Sequence, residues 1–182
     1  MALRFSTSCL EDSIDLFRYY KKLGDRAMAQ MPDADLFTAL DAESNSIAVI
    51  VKHLAGKMRS RWTDFLTSDG EKPDRHRDSE FENPPATRDE VLALWEKGWG
   101  TLFAALEPLR NADLGRTVTI RGERRSVTQA IHRQLAHYAY HVGQIVYLAR
   151  HFTGEGWQSF TVPRGESARF NADVEAGRAS QR

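Results

Sequence analysis

Four long stretches of this chain repeat apolar side chains at helical spacing, and three of them open on the same local signature. Ser8-x-x-Glu11, Thr87-x-x-Glu90 and Ser126-x-x-Gln129 each place a hydroxyl three residues ahead of an acid or amide. In that pattern the hydroxyl accepts from an otherwise unpaired backbone N–H and the longer side chain reaches back to the cap. Each match is short, but each stands directly before an apolar periodic run, where a helix start belongs. Amphipathic helices must bury their stripes against one another, and no stretch carries a comparable sheet-forming pattern. The expectation is an all-α four-helix bundle.

The first helix is expected over residues 8–31, with Leu10, Ile14, Phe17, Tyr20 and Met28 on its stripe and Pro32 beyond its end. The second is expected over residues 44–66, carrying Ile47, Ile50, Val51, Leu54, Met58, Trp62 and Phe65. The third begins at Thr87, carries Val91, Trp95, Trp99, Leu102 and Leu106, and ends at Pro108. The fourth opens at Ser126, carries Ile131, Leu135, Tyr138, Val142, Ile145 and Leu148, and stops before Gly154. After the second helix, TSDGEKPDRHRDSEFENPPA reads as a long charged surface loop. Alternation in TVTIRGE predicts a short β-like excursion before the fourth helix. From about residue 154 a tail with Trp157, Phe160, Val162 and Phe170 lacks helical period; it is expected to wrap over the bundle, with the final AGRASQR frayed. No internal repeat or boundary is visible, so residues 1–182 read as one domain.

Composition narrows the function classes. Lys plus Arg equals Asp plus Glu at 25 each, which argues against a general nucleic-acid binder, because phosphate neutralisation needs a basic excess or a basic face. The longest apolar run, SIAVIV, is far too short for a membrane span. The opening MALRFSTSCLEDS has one Arg and no long apolar region, so no signal peptide is expected. Cys9 is the only cysteine; it forms no internal disulfide, a reducing cytoplasm fits, and a buried or inert thiol is the favoured reading.

Chemistry concentrates in the histidines. His137 and His141 stand four apart in HYAYH, and His53 lies in IVKHLAG. Residues four apart differ by about 40° around a helix axis, so the pair shares one face, one turn apart. His53 has a similar position on the second helix, and all three imidazoles are able to point toward the bundle interior or its edge. Three neutral imidazoles meeting at one point would leave a divalent metal an open position, the arrangement of catalytic sites. Taken alone, an H-x-x-x-H pair and one further histidine fit packed or solvated histidines at least as well. His132 points away from His137, and His151 falls at the helix end, where positive charge is favoured. His76 belongs to the charged loop, where solvation is the simpler reading than a fourth ligand. Gln144, near the line of His137 and His141, is a candidate to orient a ligand. Arg75 and Arg77, with Lys72, are candidates for binding an anionic substrate. Their neighbours Asp69, Glu71, Asp74, Asp78 and Glu80 favour a loop held by its own ion pairs.

With SIAVIVKHLAG followed by LAHYAYHVGQIVYLAR, the chain resembles the DinB-like, or YfiT-like, metal-binding four-helix bundles. WTDFLTSDGEKPDRHRDSEF, TVTIRGERRSVTQAIHRQ and FTVPRGES resemble a branch of that superfamily labelled a domain of unknown function, and the resemblance covers nearly the whole chain. It implies a left-handed bundle with an unusual crossover, often a homodimer, in a bacterial cytoplasm. It also implies a divalent metal, commonly zinc or nickel, held by three histidines, whose positions His53, His137 and His141 match. Better-understood relatives are transferases or isomerases using low-molecular-weight thiols, so the leading expectation is a metal-dependent thiol transferase acting on a small molecule. Gln144 would orient the first ligands there, and Arg75 and Arg77 would hold an anionic substrate. A metal-dependent hydrolase and a non-enzymatic metal-binding stress-response bundle are the alternatives; nucleic acid and membrane are not expected partners.

Overall fold

The computed structural model of the protein describes residues 6–180. The first residues of the opening segment and the last two of the expected frayed end, Gln181 and Arg182, lie outside the described residues. Four long helices form an all-α bundle: α1 (Cys9–Ala29), α2 (Ile47–Trp62), α3 (Arg88–Leu106) and α4 (Val127–Thr153). Capping signals mark the starts as expected for α1, α3 and α4. The Ser8 hydroxyl accepts from Glu11 N at 3.2 Å. At Thr87/Glu90 and Ser126/Gln129 the reciprocal bonds of a full capping box form.

Both ends of α2 lie inside the expected span. Ser44 is held in a turn by Asp41, and Ser46 caps the helix instead. At the other end Thr63 is extended and Asp64 adopts a positive φ of 47°, with its carbonyl accepting from Thr67 and Ser68 N. Phe65 stays buried and packs on Trp62 at 4.8 Å between ring centroids, so the apolar period runs past the helix that it predicted.

α2 packs chiefly on α3 and α1 on α4, while α2 also meets α4. The α2–α3 approach is close at Gly98, where a Cβ would stand 3.0 Å from Ala55 Cα. Each helix sends one aromatic ring to the centre. Phe17 of α1 lies 6.4 Å from Trp62 of α2, 6.4 Å from Trp99 of α3 and 5.8 Å from Tyr138 of α4. The Trp62 indole N–H donates to Tyr138 Oη at 3.0 Å, which satisfies two buried polar groups inside an apolar core.

The excursion before α4 is an antiparallel hairpin, β1 (Thr117–Ile120) and β2 (Glu123–Ser126), with Thr117 opposite Ser126. Its two-residue turn, Arg121-Gly122, has positive φ at both positions, 56° and 76°, as tight hairpins require. The Asp69 carboxylate accepts from both turn N–H groups at 2.8 Å, and Gly70 N donates to Thr119 O. The loop after α2 is thereby tied to the hairpin.

Past Gly154, Trp157 and Phe160 pack against the core and against each other. Arg26 lies over the Phe160 ring at 4.3 Å. The tail then forms a fifth, short helix, α5 (Ser167–Glu175), where no helical period was visible; none of its residues is buried, so packing left no apolar stripe to detect. Cys9 is exposed rather than buried, 3.7 Å from His132 Nε2. Among the described residues no helix is long and apolar enough to cross a membrane.

Candidate metal centre

The contact between α2 and α4 brings the three histidines together. His53 faces α4 from the middle of α2 and is buried; His137 and His141 reach back from successive turns of α4. Ring centroids are 5.5 Å apart for His53–His137, 5.0 Å for His53–His141 and 4.7 Å for His137–His141. One ring nitrogen from each lies within 4.8 Å of the other two. Among the described residues, this trio is the cluster of side chains able to hold a cation; His76, His132 and His151 are exposed and outside it.

Two of the rings are fixed by a second layer of contacts. His53 Nδ1 lies 2.9 Å from Glu80 Oε2. Burial pushes the Glu80 carboxyl up, but hydrogen bonds from His53 and Arg75 outweigh it and hold the group ionised, below the usual carboxylate range. An ionised carboxylate only accepts, so Nδ1 carries a proton and Nε2 is the nitrogen left for a ligand bond. His141 Nδ1 likewise meets Gln144 Oε1 at 2.7 Å. Such partners set the tautomer and orientation of metal-binding imidazoles. His137 Nε2 is buried and has no hydrogen-bond partner among the described residues. Burial first, then the neighbouring His141, Lys57 and His53, drive the His137 ring down to about 3. Burial also lowers His141, against the opposing bond to Gln144. Both rings are therefore neutral at pH 7 and present lone pairs.

Glu80 is placed with unusual firmness for a loop residue. Arg75 donates to it twice, from Nε and Nη2 at 2.8 Å each, and reaches Glu71 through Nη1 at 3.1 Å. Lys52 of α2 donates to the carbonyls of Ser79, Glu82 and Asn83, pinning the turn Asp78–Phe81 against the helix. Phe81 stacks on His53 at 4.8 Å, and Arg77 lies over the Phe81 ring at 5.0 Å. Gly56 leaves room for all this: a Cβ there would stand 2.8 Å from Glu80 Cδ.

Beside the histidines lies a cavity of about 520 Å³. Phe81 and Gln134 share its wall with the three rings, and four cationic side chains border it: Lys57, Arg77, Arg121 and Arg133. Burial, then the charges of Arg61 and Arg75, lower Lys57 to about 8.

Of the residues singled out in the sequence, His53, His137, His141 and Gln144 come together. Arg77 lines the cavity. Arg75 does not: its guanidinium is buried and engaged by Glu80 and Glu71, the internal ion pairing that the balanced loop charges favoured. Glu80, Gln134, Lys57, Arg121 and Arg133 went unrecognised. Lys57 stands one turn after His53 and Gln134 one turn before His137, spacings that place them on the ligand faces. Glu80 carries no such local signal, because its role depends on how a 20-residue loop folds back on α2.

An all-α bundle with a trio of buried and half-buried imidazoles, backed by a carboxylate and an amide, defines a protein with a prepared nitrogen-donor site. The chain belongs to the family described as Protein of unknown function (DUF1572), which it matches over residues 4–166. No curated protein and no solved structure gives a match.

Proposed function

We propose that this chain is a divalent-metal-dependent enzyme of the DinB-like superfamily, working as a single domain, with His53, His137 and His141 as the ligands. The observation that carries the reading is the buried, unpartnered His137 Nε2 beside two imidazoles whose Nδ1 atoms are already engaged. A buried nitrogen lone pair without a partner costs about 1–3 kcal/mol, and a cation bound at His137 Nε2 removes that cost. Neutral imidazoles suit zinc or nickel better than magnesium or calcium, which prefer oxygen. When bound, the ion would supply Lewis-acid chemistry, favouring the thiolate form of a low-molecular-weight thiol at neutral pH.

The protein's own residues divide the remaining work. Glu80 and Gln144 hold the His53 and His141 rings. Phe81 covers one face of His53 and keeps water from that side. The cavity leaves space for a thiol and a small electrophile next to the trio. The reaction class we assign is transfer of the thiol to that electrophile, in a cytoplasmic homodimer. The exposed Tyr140 and Tyr147, two turns apart on α4 with Gly143 between them, form the face best suited to a second copy.

Metal analysis of tag-free protein tests the first step. Wild type is expected to retain zinc or nickel through dialysis and His137→Ala to lose it; equal metal in both overturns the site. Consumption of free thiol in a panel of thiols and electrophiles tests the second. Turnover that needs no thiol would assign the site to hydrolysis instead.

A further inference from the structure

The cavity carries information about its ligand that the histidines do not. Its walls contain four cationic side chains and no carboxylate, in a chain whose formal net charge is zero. Arg121 shares Glu71 with Arg61 and Arg75, at 3.4 Å from Arg121 Nε, so one carboxylate is divided among three guanidinium groups. Among the described residues, the only carboxylate paired with Arg77 is its exposed neighbour Asp78, at 3.5 Å. Among the described residues, neither Lys57 nor Arg133 has a carboxylate within ion-pairing distance, although Lys57 is half-buried. Holding like charges together around a partly desolvated space is unfavourable unless an anion enters it.

A second, independent observation points the same way. Gln134 is fully buried on α4, lines the cavity, and has no partner among the described residues for either its Oε1 or its Nε2. A buried carboxamide with both ends unpaired is rare in proteins. It presents one acceptor and two donors to whatever occupies the space. Three of the cations, Arg77, Arg121 and Arg133, are exposed, Lys57 is half-buried like His137 and His141, and Gln134 is fully buried. The lining cations therefore run from solvated to partly desolvated, as in sites that draw an anion inward.

We propose that the cavity binds a compact dianion, a dicarboxylate or a phosphate, seated among Lys57, Arg121 and Arg133 with Gln134 hydrogen-bonded to its inner end. This deepens the metal-centre reading by giving the substrate class. The reacting end of such a ligand would face the three histidines, while its anionic end would stay with the cations. It replaces Arg75 with Lys57, Arg121 and Arg133 as the anion-binding residues.

Titration calorimetry on chelator-stripped protein at pH 7 and low salt tests the proposal without the metal. The probes are succinate, inorganic phosphate and uncharged succinamide. One of the two dianions is expected to bind saturably, at least roughly tenfold tighter than succinamide, the factor that one charge-assisted hydrogen bond supplies. Preference for succinate assigns a carboxylate ligand, and preference for phosphate a phosphorylated one. Lys57→Gln and Arg133→Gln are each expected to weaken the preferred dianion about tenfold. Gln134→Leu is expected to weaken it while leaving the melting temperature unchanged or higher, since it removes two unpaired buried atoms. No saturable binding of either dianion, equal binding of succinamide, or unchanged affinity in the folded variants overturns the proposal. Metal content is measured on the same wild-type preparation before stripping. Dianion binding in a protein that never held metal would sink the histidine reading alone, and metal without dianion binding would sink this one alone.

Discussion

Gly56→Ala is the most incisive test of how the centre is held. On an ordinary helix this change stabilises by about 1 kcal/mol, because alanine is the better helix former. Here the new methyl would meet Glu80 Oε1 closer than any contact allows, with Cδ at 2.8 Å and Cγ at 3.1 Å. Glu80 has nowhere to go, since His53 Nδ1 and two Arg75 nitrogens hold it at 2.8–2.9 Å. If the turn yields by a few tenths of an ångström, the strain costs about 1–3 kcal/mol. If the carboxylate is expelled, Arg75 is left buried and only partly paired by Glu71, a loss of about 3–5 kcal/mol. Against the propensity gain, the first outcome leaves a net destabilisation of about 0–2 kcal/mol and the second about 2–4 kcal/mol. Urea unfolding of the metal-free protein reads it directly. A double-mutant cycle with Glu80→Ala isolates the cause, because the methyl then fits the vacated space and Gly56→Ala should become neutral or stabilising. A raised stability for Gly56→Ala alone, or the same loss in the Glu80→Ala background, would refute the idea that this glycine exists to seat the carboxylate.

Four further expectations follow from the same geometry. Glu80→Gln keeps an acceptor for His53 but removes the charge, and metal affinity in a chelator competition should fall about 10- to 100-fold; unaltered affinity would leave Glu80 a purely structural residue. The metal-free protein should lose stability as pH falls from about 6.5 toward 3, because the unfolded His137 takes up a proton that the folded ring refuses until about 3. Glu80 adds to the loss below the usual carboxylate range, where its paired carboxyl must be protonated; urea midpoints that stay level from pH 7 to pH 4 would contradict the histidine expectation, and midpoints level below pH 4 the carboxyl one. Lys57→Gln should stabilise the protein at pH 7 by about 1 kcal/mol after allowing for solvent screening, since Lys57 is charged there at a site that lowers it to about 8. That gain should fade as pH rises from about 8 past 10, where the folded and then the unfolded lysine are neutral, and a gain independent of pH would sink the explanation. If the proposed homodimer uses the Tyr140–Tyr147 face, Tyr147→Glu should lower the mass seen in light scattering from dimer to monomer; identical mass for both proteins would overturn that face.

Much of the architecture was written locally. Helix starts at Thr87 and Ser126 are set by bonds within four residues, so a capping box read in the sequence is the same object as the one in the fold. The apolar stripes were legible because burial follows the helical period: Phe17, Trp62, Trp99 and Tyr138 all reach the centre. The spacing of His137 and His141 likewise fixed their common face. Local rules failed where a competing contact won. Asp41 captured Ser44, a left-handed Asp64 stopped α2 before its apolar period ended, and α5 formed with no buried stripe to announce it.

By itself the chain determined its helices, their buried faces and the fact that three imidazoles lay on or near those faces. Only the packed bundle decided that α2 and α4 meet at His53, that a turn 27 residues further along delivers Glu80 to that ring, and that Lys57, Arg121, Arg133 and Gln134 border one cavity. The division has a physical cause. Capping and periodicity are interactions of near neighbours, fixed by backbone geometry. A site built from two helices, a loop and a hairpin depends on contacts distant in sequence, whose energies no short window contains.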